Sequence, residues 1–345
     1  MPLALPPAPR ILIVMMSALG DAVHVLPVIA ALKRHDPAAR ITWVLQPAPA
    51  ALVGEHPDVD EVVLFRRSRG WRAFAEVRRA LEGRRFDLVL DLQVYFKASV
   101  VTALARAPVK LGFDRGRARD LNWLATTHRI PPHAPQHVQD QYLEFLRELG
   151  VDPEPLAWKL GARPEERAPA DALLSELAGP AVALVVGTTR AEKEWPAERW
   201  AELADRLAAE EGLRPVLVGG RSPREVETEA RMRSLCRTEL VSTLGWGFRE
   251  MVGLLEGVAL TVSVDTGPMH VSVAVGTPVI ALMGSTNPRR TGPYLFRELT
   301  VDAYGEPGEE YPISMQRRSG RMERITTEQV MEKVALWRTL YGGAP

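Results

Sequence analysis

Short apolar runs alternate with longer segments of helical period along almost the whole chain, and this alternation restricts the fold more than any other feature. ILIVMM (11–16) reads as a strand and is followed by a helix pattern from Ala22 to about Arg34. ITWVL (41–45) and VVLF (62–65) read as strands, Trp71 to Leu81 as a helix, FDLVLDL (86–92) as a strand and Lys97 to Ala105 as a helix. The alternation restarts with the strand AVALVVG (181–187), the helix Ala197–Glu210 and the strand RPVLVGG (214–220). It continues with helices from Pro223 and Phe248, the strand ALTVSV (259–264), a helix from Gly267 and the strand TPVIALMG (277–284). Continuously apolar strands separated by helices require a parallel sheet covered on both faces. A polar, proline-bearing stretch, 151–180, separates the two sets and reads as the linker. The expected class is therefore α/β: two Rossmann-like, doubly wound domains facing across a cleft, with ligands at the C-terminal ends of the strands. The boundaries are placed at 1–165 for the first domain and 166–325 for the second. A C-terminal helix, 326–345, follows; Thr326 or Thr327 can cap it, and in such a fold it can cross back to the first domain.

Composition narrows the class of partner. The chain has 345 residues, with 43 Lys and Arg against 43 Asp and Glu. The basic excess usual in nucleic-acid binding is missing, so no nucleic-acid partner is expected. A single cysteine, Cys236, rules out an intrachain disulfide and a multi-cysteine metal site. It falls in a predicted amphipathic helix, where packing is the expected role. The apolar run after MPLALPPAPR is too short for a secretory core, and no run of ~18 apolar residues occurs to span a bilayer. The expected location is the cytoplasm, with peripheral contact to the inner membrane from its cytoplasmic face.

Three segments carry candidate chemistry, each at a strand-to-helix turn. In SALGDAVHVLP (17–27), Ser17 to Gly20 form the turn and Asp21 opens the helix, where it serves either as a cap or as a general base. His24, one turn on, can orient Asp21 or an acceptor, or simply pack. In GTTRAEKEWPAERW (187–200), Thr188, Thr189 and Lys193 offer donors and a positive charge to a diphosphate, with Trp195 and Trp200 as core anchors. In SVDTGPMH (263–270), Asp265, Thr266 and Gly267 cross from a strand end to a helix N-terminus, which favours an anion. Asp265 can accept from sugar hydroxyls, and His270 lies one turn in. Glu225 can accept from ribose hydroxyls or act as a first-turn carboxylate. Arg66, Arg67, Arg69, Lys97 and Arg119 can gather round an anionic acceptor or remain solvated charges. There is no GxGxxG turn, Walker loop, HExxH or Ser-His-Asp order.

Taken together, SALGDAVHVLP, FDLVLDLQVYFKAS, GFDRGRARD, TTRAEKEWP and SVDTGPMH resemble glycosyltransferase family 9, the ADP-heptose:lipopolysaccharide heptosyltransferases, over nearly the whole chain. TTRAEKEWP is more similar to the heptosyltransferase I branch, which adds the first heptose to Kdo. The resemblance implies a GT-B fold, an acceptor site in the first domain and a donor site in the second. It implies inversion at the anomeric carbon, with no cofactor and no required metal. Asp21 then corresponds to the general base. Thr188, Thr189 and Lys193 correspond to donor phosphate contacts, Glu225 to a ribose contact and Asp265 to a donor-sugar contact. Thr266, Gly267 and His270 lie near the diphosphate, and Ser17, Gly20, His24, Arg66, Lys97 and Arg119 on the acceptor side. The implied partners are ADP-heptose and a Kdo-lipid A type precursor. The residues alone leave two alternatives open: a family member with another sugar nucleotide or a protein acceptor, and a non-catalytic nucleotide-sugar-binding protein.

Overall fold

The computed structural model describes residues 3–342. The chain divides into two compact units. One comprises the residues up to Ala134 together with Val138–Leu160; the other comprises Pro135–His137 and the chain from Gly161 onward.

In the first unit the elements run β1 (Arg10–Val14), α1 (Leu19–His35), β2 (Arg40–Leu45), α2 (Pro47–Val53), β3 (Glu61–Leu64), α3 (Trp71–Leu81), β4 (Leu88–Asp91), α4 (Phe96–Leu104), β5 (Val109–Gly112), β6 (His128–Arg129) and α5 (Val138–Glu148). The strands form one parallel sheet in the order β3-β2-β1-β4-β5-β6. Leu12, Val14, Val44 and Val89 form its core with Val77 and Val101 from the covering helices. β1 is buried at every residue after Arg10 and β4 throughout, as a central strand covered on both faces must be.

The second unit runs α6 (Pro164–Ser175), β7 (Ala181–Val185), α7 (Ala197–Glu211), β8 (Arg214–Val218), α8 (Pro223–Leu235), β9 (Val241–Ser242), α9 (Phe248–Gly257), β10 (Leu260–Val264), α10 (Gly267–Val275), β11 (Val279–Met283), α11 (Pro288–Thr291), β12 (Val301–Asp302) and α12 (Thr327–Tyr341). Its parallel sheet has the order β12-β11-β10-β7-β8-β9. Counted from each unit's own first strand, both sheets follow one winding, 3-2-1-4-5-6, the doubly wound dinucleotide-type order. Trp195 and Trp200 pack edge to face, 4.9 Å between ring centroids, inside this core.

The structure corrects three expectations. The stretch 151–180 is not all linker, because it contains α6. That helix packs on α9, where Glu166 accepts from Arg249 at 2.9 Å and from Arg163 at 2.7 Å. Gly253 permits this approach: a Cβ there would lie 2.9 Å from Arg167 Cα. The C-terminal helix belongs to the second unit. Val330, Val334 and Trp337 of α12 are buried in the same core as Trp200, and Thr326 caps the helix by accepting from the Gln329 N–H at 3.3 Å. Cys236 is the residue just past α8, half-buried, and burial pushes its thiol up to about 11, which keeps it unreactive. Among the described residues, no helix is long and apolar enough to cross a membrane.

Candidate functional site

Parallel strands all end on one edge of the sheet, and the crevice at that edge opens where the winding changes direction. In the first unit the change falls between β1 and β4, so the turns after these two strands must meet. Gln93, two residues past β4, clamps the turn after β1: its Oε1 accepts from the Met16 N–H at 3.2 Å and its Nε2 donates to Ser17 O at 2.6 Å. Gln46 Nε2 donates to Ser17 Oγ at 3.3 Å. Asp21 lies in the first turn of α1. One of its oxygens, Oδ2, accepts from the Ala18 N–H at 2.9 Å, and the other, Oδ1, accepts from the Tyr142 hydroxyl at 3.3 Å. Asp21 therefore caps its helix and still presents a second oxygen beside a hydroxyl. Gly20, just before it, forms part of the same first turn.

His24 is buried, and its Nδ1 lies 3.0 Å from Gln139 Oε1 on α5. The side chain thus joins α1 to α5, the two helices that also carry Asp21 and Tyr142. The cations follow the ends of three strands. Arg66 follows β3 and lies 3.9 Å from Glu76. Arg69 also pairs with Glu76. Lys97 is in the first turn of α4, where burial and the neighbouring Arg67 charge hold its ammonium below the ordinary value. Arg119 is exposed, and its N–H donates to Val94 O at 2.9 Å, which ties its loop to the turn after β4. Arg117 in the same segment is committed to Asp114 and Glu144. Beneath these loops Asp91 is fully buried at the end of β4. Its Oδ2 accepts from Thr102 Oγ1 and Asn122 Nδ2, each at 2.9 Å, and burial raises its carboxyl to about 7.

In the second unit the winding changes between β7 and β10, and the same logic brings their turns together. Lys193, in the loop after β7, lies 2.6 Å from Asp265 Oδ2 at the end of β10. Thr286, after β11, donates to the same Oδ2. Thr188 and Thr189 directly follow Gly187 at the β7 end. Thr266 is the N-cap residue of α10 and Gly267 its first residue; Pro268 carries no N–H and the Met269 N–H donates to Thr266 O at 3.2 Å, so it is the positive end of the helix dipole that adjoins the ion pair. His270 is buried one turn into α10. Glu225 completes a capping box with Ser222 at the start of α8, and its carboxylate accepts from the N–H groups of Gly220 at 2.7 Å and Ser222 at 2.8 Å. It sits over the β7 end as well: a Cβ on Gly187 would come 1.8 Å from Glu225 Oε1. Glycine at 187 thus lets the carboxylate lie against the strand end.

Ser17, Gly20, Asp21 and Lys97 thus lie by the change of winding of the first unit, and Thr188, Thr189, Lys193, Asp265, Thr266 and Gly267 by that of the second, while Arg66, Arg119 and Glu225 follow the neighbouring strands. Sequence reasoning missed Gln93, Tyr142 and Thr286. Gln93 and Thr286 had a usable signal, since both follow an apolar strand directly. Tyr142 had none, because α5 is remote in sequence. Among the described residues, no group of three or more His, Cys, Asp or Glu side chains is arranged to hold a metal ion.

The profile of glycosyltransferase family 9 (heptosyltransferase) matches residues 74–308. The chain is 27% identical over 344 residues to the lipopolysaccharide core heptosyltransferase OpsX of Haemophilus influenzae, covering 96% of this chain and 98% of that protein. It is 31% identical to lipopolysaccharide heptosyltransferase 1 of Escherichia coli K12, covering 83% of this chain and 91% of that one. Among solved structures, a family 9 glycosyltransferase from Veillonella parvula superposes with a TM-score of 0.83 at 22% identity, covering 96% of this chain and 98% of that one. The E. coli heptosyltransferase WaaC, solved with ADP, superposes with a TM-score of 0.73 at 26% identity over 96% of this chain and 98% of that one. With two doubly wound units of the GT-B type and a family match across most of its length, this chain belongs to glycosyltransferase family 9, the heptosyltransferases, and is a glycosyltransferase enzyme of lipopolysaccharide core biosynthesis.

Proposed function

We propose that the enzyme transfers heptose from ADP-L-glycero-β-D-manno-heptose to the Kdo region of a lipopolysaccharide precursor, with inversion at the anomeric carbon. The observation that carries this reading is the Lys193–Asp265 pair, 2.6 Å apart beside the N-terminus of α10. A cation next to the positive end of a helix suits a diphosphate, and a carboxylate beside it suits the hydroxyls of the attached sugar. The titles of the E. coli WaaC structures name ADP and ADP-2-deoxy-2-fluoro heptose, which supports this donor class.

Asp21 is the general base. Its Oδ1 takes the proton of the acceptor hydroxyl as that oxygen attacks the anomeric carbon and the bond to the diphosphate breaks. Lys193, the hydroxyls of Thr188 and Thr189, and the α10 N-terminus stabilise the charge gathering on the departing ADP. Asp265 accepts from sugar hydroxyls through Oδ1, because both of its protein bonds fall on Oδ2. Glu225 orients the ribose. Lys97, Arg119 and Arg66 hold the anionic acceptor. Such an acceptor lies in a bilayer, which places the enzyme at the cytoplasmic face of the inner membrane.

Calorimetry with ADP-heptose tests the donor half. Lys193→Ala removes a charge-assisted contact and leaves Asp265 facing the diphosphate. Affinity should fall by roughly tenfold to a hundredfold, the equivalent of ~1.5–3 kcal/mol. Unchanged affinity together with unchanged turnover would remove Lys193 from the site.

A further inference from the structure

The first unit exposes five large apolar side chains among its described residues: Trp71, Tyr95, Phe96, Leu121 and Leu124, with Trp71 73% exposed and the two leucines 62% and 64%. They belong to neighbouring segments. The Phe96 N–H donates to Asp120 Oδ2 at 3.4 Å, and the Arg119 N–H donates to Val94 O, so the start of α4 adjoins the 119–124 loop. Arg67 lies close enough to Lys97 to affect its charge, and α3 packs on α4, which brings the 66–72 turn to the same end of the unit. Single exposed leucines are ordinary, but a cluster of five is not.

Leu121 carries the argument further. Its φ is +57°, and that of Asp120 is +50°. Glycine or asparagine adopts this region readily, whereas a branched apolar residue does so at a cost. Within the chain, Leu121 gets little packing in return for that conformation. The surroundings also carry charge of one dominant sign. Arg66, Arg67, Arg69 and Arg72 are exposed beside Trp71, and among the described residues only Glu76 is paired with any of them. Arg119 flanks Leu121 on the other side.

We propose that this patch docks the first unit onto an anionic bilayer surface. Trp71, Phe96, Leu121 and Leu124 enter the headgroup boundary, and Arg67, Arg69 and Arg72 meet lipid phosphates, beside the Arg66 and Arg119 assigned to the acceptor. The combination of aromatic and leucine side chains ringed by arginine is that of interfacial anchoring rather than of a protein partner, whose interface core would exclude so many like charges. The inference rests on the proposed lipid-borne acceptor, because docking there would hold the cations of the first unit at the depth of that acceptor's headgroup.

The test is co-sedimentation of the full-length protein with phosphatidylglycerol–phosphatidylethanolamine vesicles that contain no glycolipid acceptor. The wild type should bind these vesicles, bind phosphatidylcholine vesicles far less, and lose binding as salt rises. A Trp71→Ser, Leu121→Asn, Leu124→Ser variant should partition at least about tenfold less. Asparagine suits the positive φ at 121, so its melting temperature should hold. Should the triple variant melt early, Trp71→Glu alone makes the same test at a highly exposed position. Transfer to a deacylated, water-soluble acceptor should be unchanged in the variant, while transfer to a vesicle-embedded acceptor falls. Equal sedimentation of variant and wild type would overturn the proposal. So would wild-type binding that requires the acceptor glycolipid, since the patch would then grip acyl chains of the substrate. An enzyme that binds the bare vesicles through this patch yet transfers no heptose to any acceptor would instead count against the transferase reading.

Discussion

Replacing Asp91 by asparagine isolates one buried group under the acceptor-side loops. In the folded unit the carboxyl is fully buried and sits at about 7, against an ordinary value of 3.8, with loss of solvation as the main cause. The folded chain therefore binds this proton more tightly than the unfolded chain does. The contribution to stability is intact below about pH 4 and is lost as pH rises through about 7. That displacement corresponds to roughly 4 kcal/mol between the two ends of the window. The hydrogen bonds from Thr102 and Asn122 both fall on Oδ2, a weaker contact comes from the Gln93 N–H, and among the described residues Oδ1 has no partner in good hydrogen-bond geometry. An asparagine can keep both bonds on its carbonyl oxygen and place its amide where Oδ1 was, so it mimics the protonated acid at every pH. Urea titrations followed by circular dichroism should give Asp91→Asn and wild type similar midpoints only at about pH 4 and below, with the variant ahead by roughly 1–2 kcal/mol at pH 5. At pH 8.5 the variant should gain about 2–4 kcal/mol, or about 1 M or more in midpoint for an ordinary urea slope. Parallel pH profiles for the two proteins, or a variant less stable at pH 8.5, would refute the assignment of a raised, buried carboxyl.

Two further outcomes follow from the same geometry. Lys97→Ala and Arg119→Ala should each raise the acceptor KM by up to roughly tenfold at low salt, with less effect above ~0.1 M salt and donor affinity little changed; selective loss of donor affinity would move these residues out of the acceptor role. Gly253→Val forces a side chain against the backbone of α6, 2.9 Å from Arg167 Cα at its Cβ alone, and should destabilise the second unit by about 1–3 kcal/mol, seen as a lower calorimetric Tm; an unchanged Tm would mean that α6 and α9 separate freely.

The double winding was legible because buried parallel strands write themselves as continuous apolar runs. Ile11–Val14, Ala181–Val185 and Val279–Met283 are buried throughout. The strand ends then located most of the candidate residues, since turns after parallel strands share one edge. What failed to register has physical reasons. The strands β6, β9 and β12 are two residues long, too short for any period. The helix α6 carries two prolines, Pro164 and Pro169, and few large apolar side chains, and it is held by packing on α9 and by Glu166, whose carboxyl the Arg249 guanidinium pulls down to about 2, contacts made far along the chain. The destination of α12 depends on which core accepts Val330, Val334 and Trp337, and an amphipathic pattern does not name its partner. His24 shows the same limit at a single residue, because its contact with Gln139 lies on a helix remote in sequence. The roles of Gln93 and Thr286 are likewise tertiary: each completes a contact between two turns that only the winding brings together.

The central claim is that Asp21 takes a proton from a Kdo-type acceptor while heptose leaves ADP. The direct measurement is mass spectrometry of a Kdo-lipid A acceptor incubated with ADP-heptose and either wild type or Asp21→Asn, each checked by thermal melt. Asparagine retains size and capping ability but cannot accept a proton. The wild type should add one heptose residue to the acceptor. The variant should melt like the wild type, bind ADP-heptose equally well and form product roughly 10²–10⁴ times more slowly. A well-folded Asp21→Asn enzyme that heptosylates the acceptor at the wild-type rate, or a wild type that leaves the acceptor mass unchanged, would contradict the account.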